Sequence, residues 1–360
     1  MLKNNVNEQN ASGKAEVILL GIDAHADKQV VVRQVDGLTP QPAQQFTHDR
    51  LLRWAAKQLT LGKEVYSCYE AGPFGYGLHR ELEAIGVTNL VVRPRKWDEY
   101  GQKIKTDKRD ARALTEALER YVRGNKRALS VVRVPSESQE QQRSLSRQRE
   151  ALVRERKRLA AMGRSHALYY GKRIRGQWWK PRCWQLLQGE LKAIVLELLE
   201  ALRDVILVVE KQLEAATENI ESAASGARPK GLGALTSEVI DREIGDWNRF
   251  SNRRQVASYT GLCPTEDSSG DRRFQGSVNK HGNPRIRHVL VEATWRLLRY
   301  QPGYLRLKKW QQEMKAANGK IPAGRKKKMV VAIARRFMID LWRIKTGRST
   351  CEQLGLELAV

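Results

Sequence analysis

Four carboxylates carry the most pointed chemistry in this 360-residue sequence. Asp23 closes the apolar run EVILLGID, and Glu70 closes EVYSCYE. Asp107 and Asp110 stand three apart where a helix begins, a spacing that puts both on one face. Acids at the ends of neighbouring elements converge at one sheet edge when those elements pack side by side. Such a cluster repels itself until cations bind, and hard oxygen ligands at a partly hydrated site suit Mg²⁺. Two such ions roughly 3.5–4 Å apart activate a nucleophile and stabilise a leaving oxygen in phosphodiester displacement. A plainer reading stands beside this one. An Asp after a strand is a common turn residue, and Asp107 can serve as a helix N-cap.

A second window, YTGLCPTEDSSGDRRFQGSVNKHGNPRIR, is polar, glycine-rich and basic. It holds adjacent serines, Ser268 and Ser269, followed by Arg272, Arg273, Lys280, Arg285 and Arg287. A serine hydroxyl is a weak nucleophile until a base or a metal activates it. No histidine makes an evident triad here, so a metal held by acids is the activator to look for. The cations suit phosphate binding and offset charge in a transition state. A plain loop serine is the competing reading.

The elements that must position these groups follow from patterning. Residues 16–23 and 28–35 read as strands joined by a short link, which predicts a hairpin. Residues 49–59 have helical periodicity, 64–70 are strand-like, 75–85 form an amphipathic helix, 89–92 a short strand and 107–121 a helix. Strands in hairpin form, then alternating with helices, predict a mixed α/β domain over 1–130. The character then changes. Leu145, Leu152 and Leu159 repeat by seven, and Leu191, Ile194, Leu198, Leu202, Val205 and Val209 step by three or four. These stripes predict two long helices over 131–225, an antiparallel pair or a coiled-coil dimerisation arm. Between them, Trp178 and Trp179 beside Lys180 suit either core packing or stacking on unpaired bases. A mostly helical segment, 226–360, ends the chain, with helices at 284–300 and 328–345. Within it, Val330, Ile333, Phe337 and Leu341 share a face expected to be core or dimer packing. The KGLGALT turn and the RKKK run (325–328) are weaker candidates for phosphate contact.

Charge narrows the partners. The net charge is +25, which argues against an ordinary metabolic enzyme and favours a polyanion partner, nucleic acid above all. It is unevenly spread. Residues 1–130 hold 21 basic and 16 acidic residues, whereas 143–182 hold 13 against 2, and 231–360 hold 25 against 12. Apolar stretches are too short to span a bilayer, and the polar N-terminus does not read as a signal peptide. The cysteines (Cys68, Cys183, Cys263, Cys351) are scattered without a CxxC pair. That disfavours a disulfide framework or zinc site and fits a reducing cytoplasm.

The segments GIDAHADK, YEAGPFGYGL and KTDKRDARAL, in that order, resemble the RuvC-like domain of DEDD-type insertion-sequence transposases, the bridge-RNA-guided recombinases related to Piv invertases. The family's four acids fall on Asp23, Glu70, Asp107 and Asp110. Its valine-histidine-lysine run after the first acid is here Ala24, His25 and Ala26, so His25 alone matches. The second window resembles the family's transposase domain at Gly261, Pro264, Ser269, Gly270, Gly276, Lys280, Gly282, Asn283 and Arg287. The resemblance implies a RuvC/RNase H-like domain, a helical coiled-coil arm and a C-terminal transposase domain. It implies Ser269 as the nucleophile that forms a phosphoserine link to DNA, and Mg²⁺ on the four acids. It also implies a structured guide RNA, donor and target DNA, dimers that pair into tetramers, and a site assembled from two domains or two protomers. Two other classes stay open. One is a metal-dependent nuclease resembling a Holliday-junction resolvase, with Ser269 uninvolved. The other is a non-catalytic nucleic-acid-binding protein.

Overall fold

A computed structural model describes residues 13–95, 106–269 and 272–359, the side chain of Arg273 excepted. The chain forms two compact units, Met1–Val134 and Pro135–Val360.

The first unit is built on a five-stranded mixed sheet. Its elements are β1 (Ala15–Ala24), β2 (Gln29–Val35), β3 (Gln44–Phe46), α1 (His48–Leu61), β4 (Gly62–Glu70), α2 (Gly77–Ala84), β5 (Thr88–Val92) and α3 (Asp107–Val122). The strand order is β3-β2-β1-β4-β5. β1 pairs antiparallel with β2 and parallel with β4, and β4 pairs parallel with β5. This arrangement is compatible with the RuvC-like fold that the resemblance implies. Alternation along β1 sorts the core. Ile18, Leu20 and Ile22 pack with Leu51 and Leu82 on one face. Leu19 packs with Leu114 and Leu118 of α3 on the other.

Gly21, also on that second face, lets α3 lie directly against β1. A Cβ there would collide with the Ala111 carbonyl oxygen and with Thr115 Oγ1. The close approach is fastened by hydrogen bonds. The Gly21 N–H donates to Thr115 Oγ1 (3.1 Å), and that hydroxyl lies 3.1 Å from the Val32 carbonyl and 2.9 Å from that of Ala111. These bonds fix where the first turn of α3, with Asp107 and Asp110, meets the sheet.

The second unit holds α4 (Glu137–Tyr169), α5 (Pro181–Glu190), α6 (Ala193–Ser222), α7 (Ala234–Ile244), α8 (Arg253–Thr260), β6 (Pro264–Ser269), β7 (Arg272–Val278), α9 (Pro284–Tyr300), α10 (Lys308–Ala316) and α11 (Ala323–Lys345). A capping box between Ser136 and Gln139 starts α4. α4 and α6 run antiparallel, with Arg149 bonded to Thr217 (2.7 Å) and Arg156 to Glu210 (3.3 Å).

The stripe that marks α6 as a helix is only partly its buried face, with Leu191 and Leu202 packed against the core. Val195, Leu199, Ile206, Leu213 and Ile220 are buried, while Ile194, Leu198 and Val205 are 48%, 36% and 49% exposed. The helix is apolar on two sides, and α4 covers the one shifted by a residue. Trp178, Trp179 and Trp184 are core residues under this pair. Trp178 donates to the Ala160 carbonyl (3.0 Å) and fills the space left by Gly163. Packing, not base stacking, is their role here. Val330, Ile333, Phe337 and Leu341 are likewise buried. The last three join Ile286, Leu290 and Leu297 in the C-terminal core. Among the described residues no helix is long and apolar enough to cross a membrane.

Candidate active site

Strand register brings the first two acids to neighbouring positions. Ile22 is paired with Tyr69 across the parallel β1–β4 ladder, so Asp23 and Glu70 follow at the same level on adjacent strands. Asp107 is the first residue of α3, with Thr106 at the N-cap position. Asp110 lies one turn on. Two acids in a first helical turn sit where the helix dipole favours negative charge.

The structure adds a residue that was not among the expected ligands. His25, in the β1–β2 turn, has Nε2 3.1 Å from Asp23 Oδ2 and 3.5 Å from Asp107 Oδ2. Gln29 fixes this turn by accepting from the His25 N–H (3.2 Å) and donating to its carbonyl (2.8 Å). Asp23, His25 and Asp107 each offer a ligand atom, all within 4.8 Å of one another, and all three are half-buried. Two carboxylates and an imidazole on one partly hydrated edge fit a divalent cation. The imidazole makes the set less purely oxygen-based than Mg²⁺ usually takes.

The electrostatics agree with a cation site. Burial pushes the Asp23 carboxyl above its usual range; His25 pulls it back, while the charges of Asp107 and Asp110 add to the rise. Asp110 therefore acts on Asp23 through space. Glu70 lies outside the three-ligand group and accepts a hydrogen bond from the Arg95 N–H (3.2 Å). The sequence signals for His25 were its place two residues after Asp23 and its match to the family's valine-histidine-lysine run.

The serine window folds as an exposed antiparallel hairpin, β6–β7. Ser269 is the last residue of β6 and is exposed, with Arg272 as its cross-strand partner. Ser268 Oγ instead donates to Glu266 (3.2 Å). Gly270 and Asp271 lie outside the described residues. Lys280 is exposed and carries a positive φ of 57° in the turn after β7. There Gly282 crosses the end of α8 so closely that a Cβ would meet the Gly261 nitrogen and the Tyr259 carbonyl oxygen.

The other two cations are held by the protein. Arg285 pairs with Glu150 and lies 4.0 Å from Glu243. Arg287 donates to the Thr260 and Lys280 carbonyls, both at 3.2 Å. Glu243 is the hub of this region. Buried in α7, it accepts from Arg147 of α4 (2.9 and 3.0 Å) and from Asn283, the cap of α9 (2.7 Å). Burial alone would raise the Glu243 carboxyl, but Arg147, Asn283 and Arg285 outweigh it and hold it below the usual range.

Comparison with known proteins agrees with this arrangement. Residues 20–168 match the DEDD transposase model of the IS110 group, and residues 227–308 match the model described as the transposase IS116/IS110/IS902 family. The chain is 35% identical over 306 residues to a putative transposase of Sinorhizobium fredii, covering 76% of this chain and 75% of that protein. A second putative transposase of that organism is 32% identical over 321 residues, covering 86% and 78%. The transposase for insertion sequence element IS1533 of Leptospira borgpetersenii is 27% identical over 306 residues, covering 77% and 84%. With an acid-rich sheet edge of the DEDD kind and this extent of similarity, the chain belongs to the IS110 family of insertion-sequence transposases.

Proposed function

We propose that this transposase carries out RNA-guided strand exchange through a phosphoserine link at Ser269, with Mg²⁺ at the acid edge of the first unit. The observation that carries the reading is the convergence of Asp23, His25 and Asp107 in a chain of this family. These three residues would hold the ion, and Glu70 and Asp110 add negative charge to the same edge. A bound divalent ion supplies Lewis-acid polarisation of a phosphoryl oxygen.

The serine step is a transesterification. Ser269 Oγ attacks a DNA phosphorus, and the Oγ–P bond forms as the P–O bond to one deoxyribose breaks. The hydroxyl proton passes to a base, and the freed deoxyribose oxygen takes up a proton. A hydroxyl of the incoming strand then displaces Ser269, which recovers its proton. One phosphodiester is exchanged for another, so no external energy donor is consumed. The exposure of Ser269 beside Arg272 supports it over Ser268, whose hydroxyl is engaged by Glu266. Arg272, Arg273 and Lys280 would hold phosphate there, while Arg285 and Arg287 position the loop that carries them.

A structured guide RNA, donor and target DNA, and dimers pairing into tetramers complete this reading, which is set in the cytoplasm. The charge of +25, concentrated outside the acid-bearing domain, supports polyanion partners. The test is a strand-exchange assay with the element's RNA, donor and target. Asp23→Ala, Ser269→Ala and metal chelation should each abolish exchange. Normal exchange by Ser269→Ala would refute the serine mechanism, and full activity in excess chelator would refute the metal.

A further inference from the structure

The second unit carries a cleft that the reading above does not use. It lies between α8 and α11 and encloses about 1020 Å³. Seven arginines line it, against no acid in its lining. Arg253 and Arg254 come from the first turn of α8, and Arg335 and Arg336 from the middle of α11. Among the described residues no carboxylate pairs with these four.

The other three are held in place. Asp340, fully buried beneath the cleft, grips Arg306 with both oxygens (2.7 and 2.9 Å), accepts from the Tyr304 hydroxyl (2.9 Å) and lies 3.7 Å from Arg343. Arg348 stacks on the Trp342 ring at 4.1 Å. One buried acid thus orients two cations and neutralises only one charge. Guanidinium groups stay charged at any physiological pH. So dense a like-charged lining is electrostatically costly without counter-charge, and planar guanidinium forks match phosphate oxygens.

The cleft also continues. A neighbouring cavity shares Arg306 and Arg336 with it and adds Lys309, Lys328 and the Arg325–Glu313 ion pair, a net gain of two positive charges. Along α11, Lys328 to Arg343 spans about 22 Å at 1.5 Å per residue. A single strand carries a charge every 3.4 Å or so along the helix axis, so the track matches several successive phosphates rather than one small anion.

We infer that the α8–α11 cleft is a phosphodiester-binding track, made of none of the residues expected to hold phosphate around Ser269. It rests on the nucleic-acid-handling reading above, but not on the serine or metal chemistry. The shared chemistry is the backbone phosphate of DNA or RNA.

The test is fluorescence anisotropy of the full chain with labelled duplex DNA and, separately, a labelled RNA of the same sequence, across a salt series. The variant is Arg253→Gln/Arg254→Gln/Arg335→Gln/Arg336→Gln. The control removes four exposed charges of the first unit: Lys14→Gln/Arg50→Gln/Arg53→Gln/Lys57→Gln. The cleft variant should bind at least about tenfold more weakly near 0.15 M salt, and its salt slope should flatten by about two to four. The control should move both quantities much less. Loss confined to the DNA probe assigns the track to DNA; loss confined to the RNA probe assigns it to RNA. Unchanged binding by the cleft variant, or an equal loss in the control, overturns the inference. Circular dichroism melts of both variants establish that they are folded. Because binding is read without strand exchange, a failed serine mechanism leaves this result standing.

Discussion

Gly21→Ala should loosen the fastening that sets the acid edge. The new Cβ would run into the Ala111 carbonyl oxygen and Thr115 Oγ1, both on α3. Either α3 moves off the sheet or β1 distorts. Overpacking a tight core costs about 1–3 kcal/mol. Displacement also weakens the buried bond from the Gly21 N–H to Thr115 Oγ1, adding about 1 kcal/mol. A total of about 2–4 kcal/mol corresponds to a roughly 30- to 1000-fold rise in local opening. Hydrogen exchange read peptide by peptide should show this loss of protection in β1 and α3, with the second unit unaffected. Strand exchange should fall by about 100-fold or more, since a displacement near 1 Å at a reacting centre has that effect. Removing the hydroxyl as well, in Gly21→Ala/Thr115→Ala, relieves one of three collisions, leaving those with the Ala111 carbonyl oxygen and the Thr115 nitrogen. The double variant should therefore be less destabilised than the sum of the single ones. Native protection and normal strand exchange in Gly21→Ala would refute the claim that this contact sets the position of Asp107 and Asp110.

Other expectations concern the second unit and the acid edge. Glu243→Gln should cost about 2–3 kcal/mol, allowing for the partly exposed Arg147. The Glu243 carboxyl is held below its usual 4.5 in the folded state. Its contribution is therefore present above about pH 4.5 and lost as pH falls through the lower folded value, so urea titrations should show wild type and variant converging at low pH. Gly163→Ala should destabilise the α4–α6 pair by about 1–3 kcal/mol, because its Cβ meets the Trp178 ring. Gly189→Ala, where no atom lies within reach of a Cβ, should be neutral or slightly stabilising in the same melts. Asp23→Asn should reduce strand exchange by about 1000-fold or more, and His25→Ala by about 10- to 100-fold with a raised Mg²⁺ requirement. An unchanged metal requirement in His25→Ala would remove that residue from the ligand set.

Much of the first unit was legible because its signals are strong and local. The runs ending in Asp23 and Glu70 are strands, and α3 begins at Asp107. β3 escaped because Gln44–Phe46 is three residues long and has no alternation to read. His25 escaped as a ligand because its closeness to Asp107 depends on how α3 docks, and that depends on Gly21. In α6, periodicity identified a helix but only part of its buried face, because apolar residues occupy two adjacent stripes and only the partner chooses between them. Arg285 and Arg287 looked like free cations because Glu150 and the Thr260 carbonyl are distant in sequence. The arginines of the α8–α11 cleft went unnoticed for a related reason: α8 and α11 lie some eighty residues apart in the chain, and only folding gathers them.

The central claim is the covalent link at Ser269, and locating it is the most direct measurement. Strand exchange would be run on a substrate that traps the protein–DNA adduct. The adduct would then be digested and sequenced by mass spectrometry. A nucleotide-bearing phosphate is expected on Ser269, absent from Ser268, and lost in Ser269→Ala and Asp23→Ala. An adduct on another residue, or complete exchange with no adduct at any time point, would contradict it.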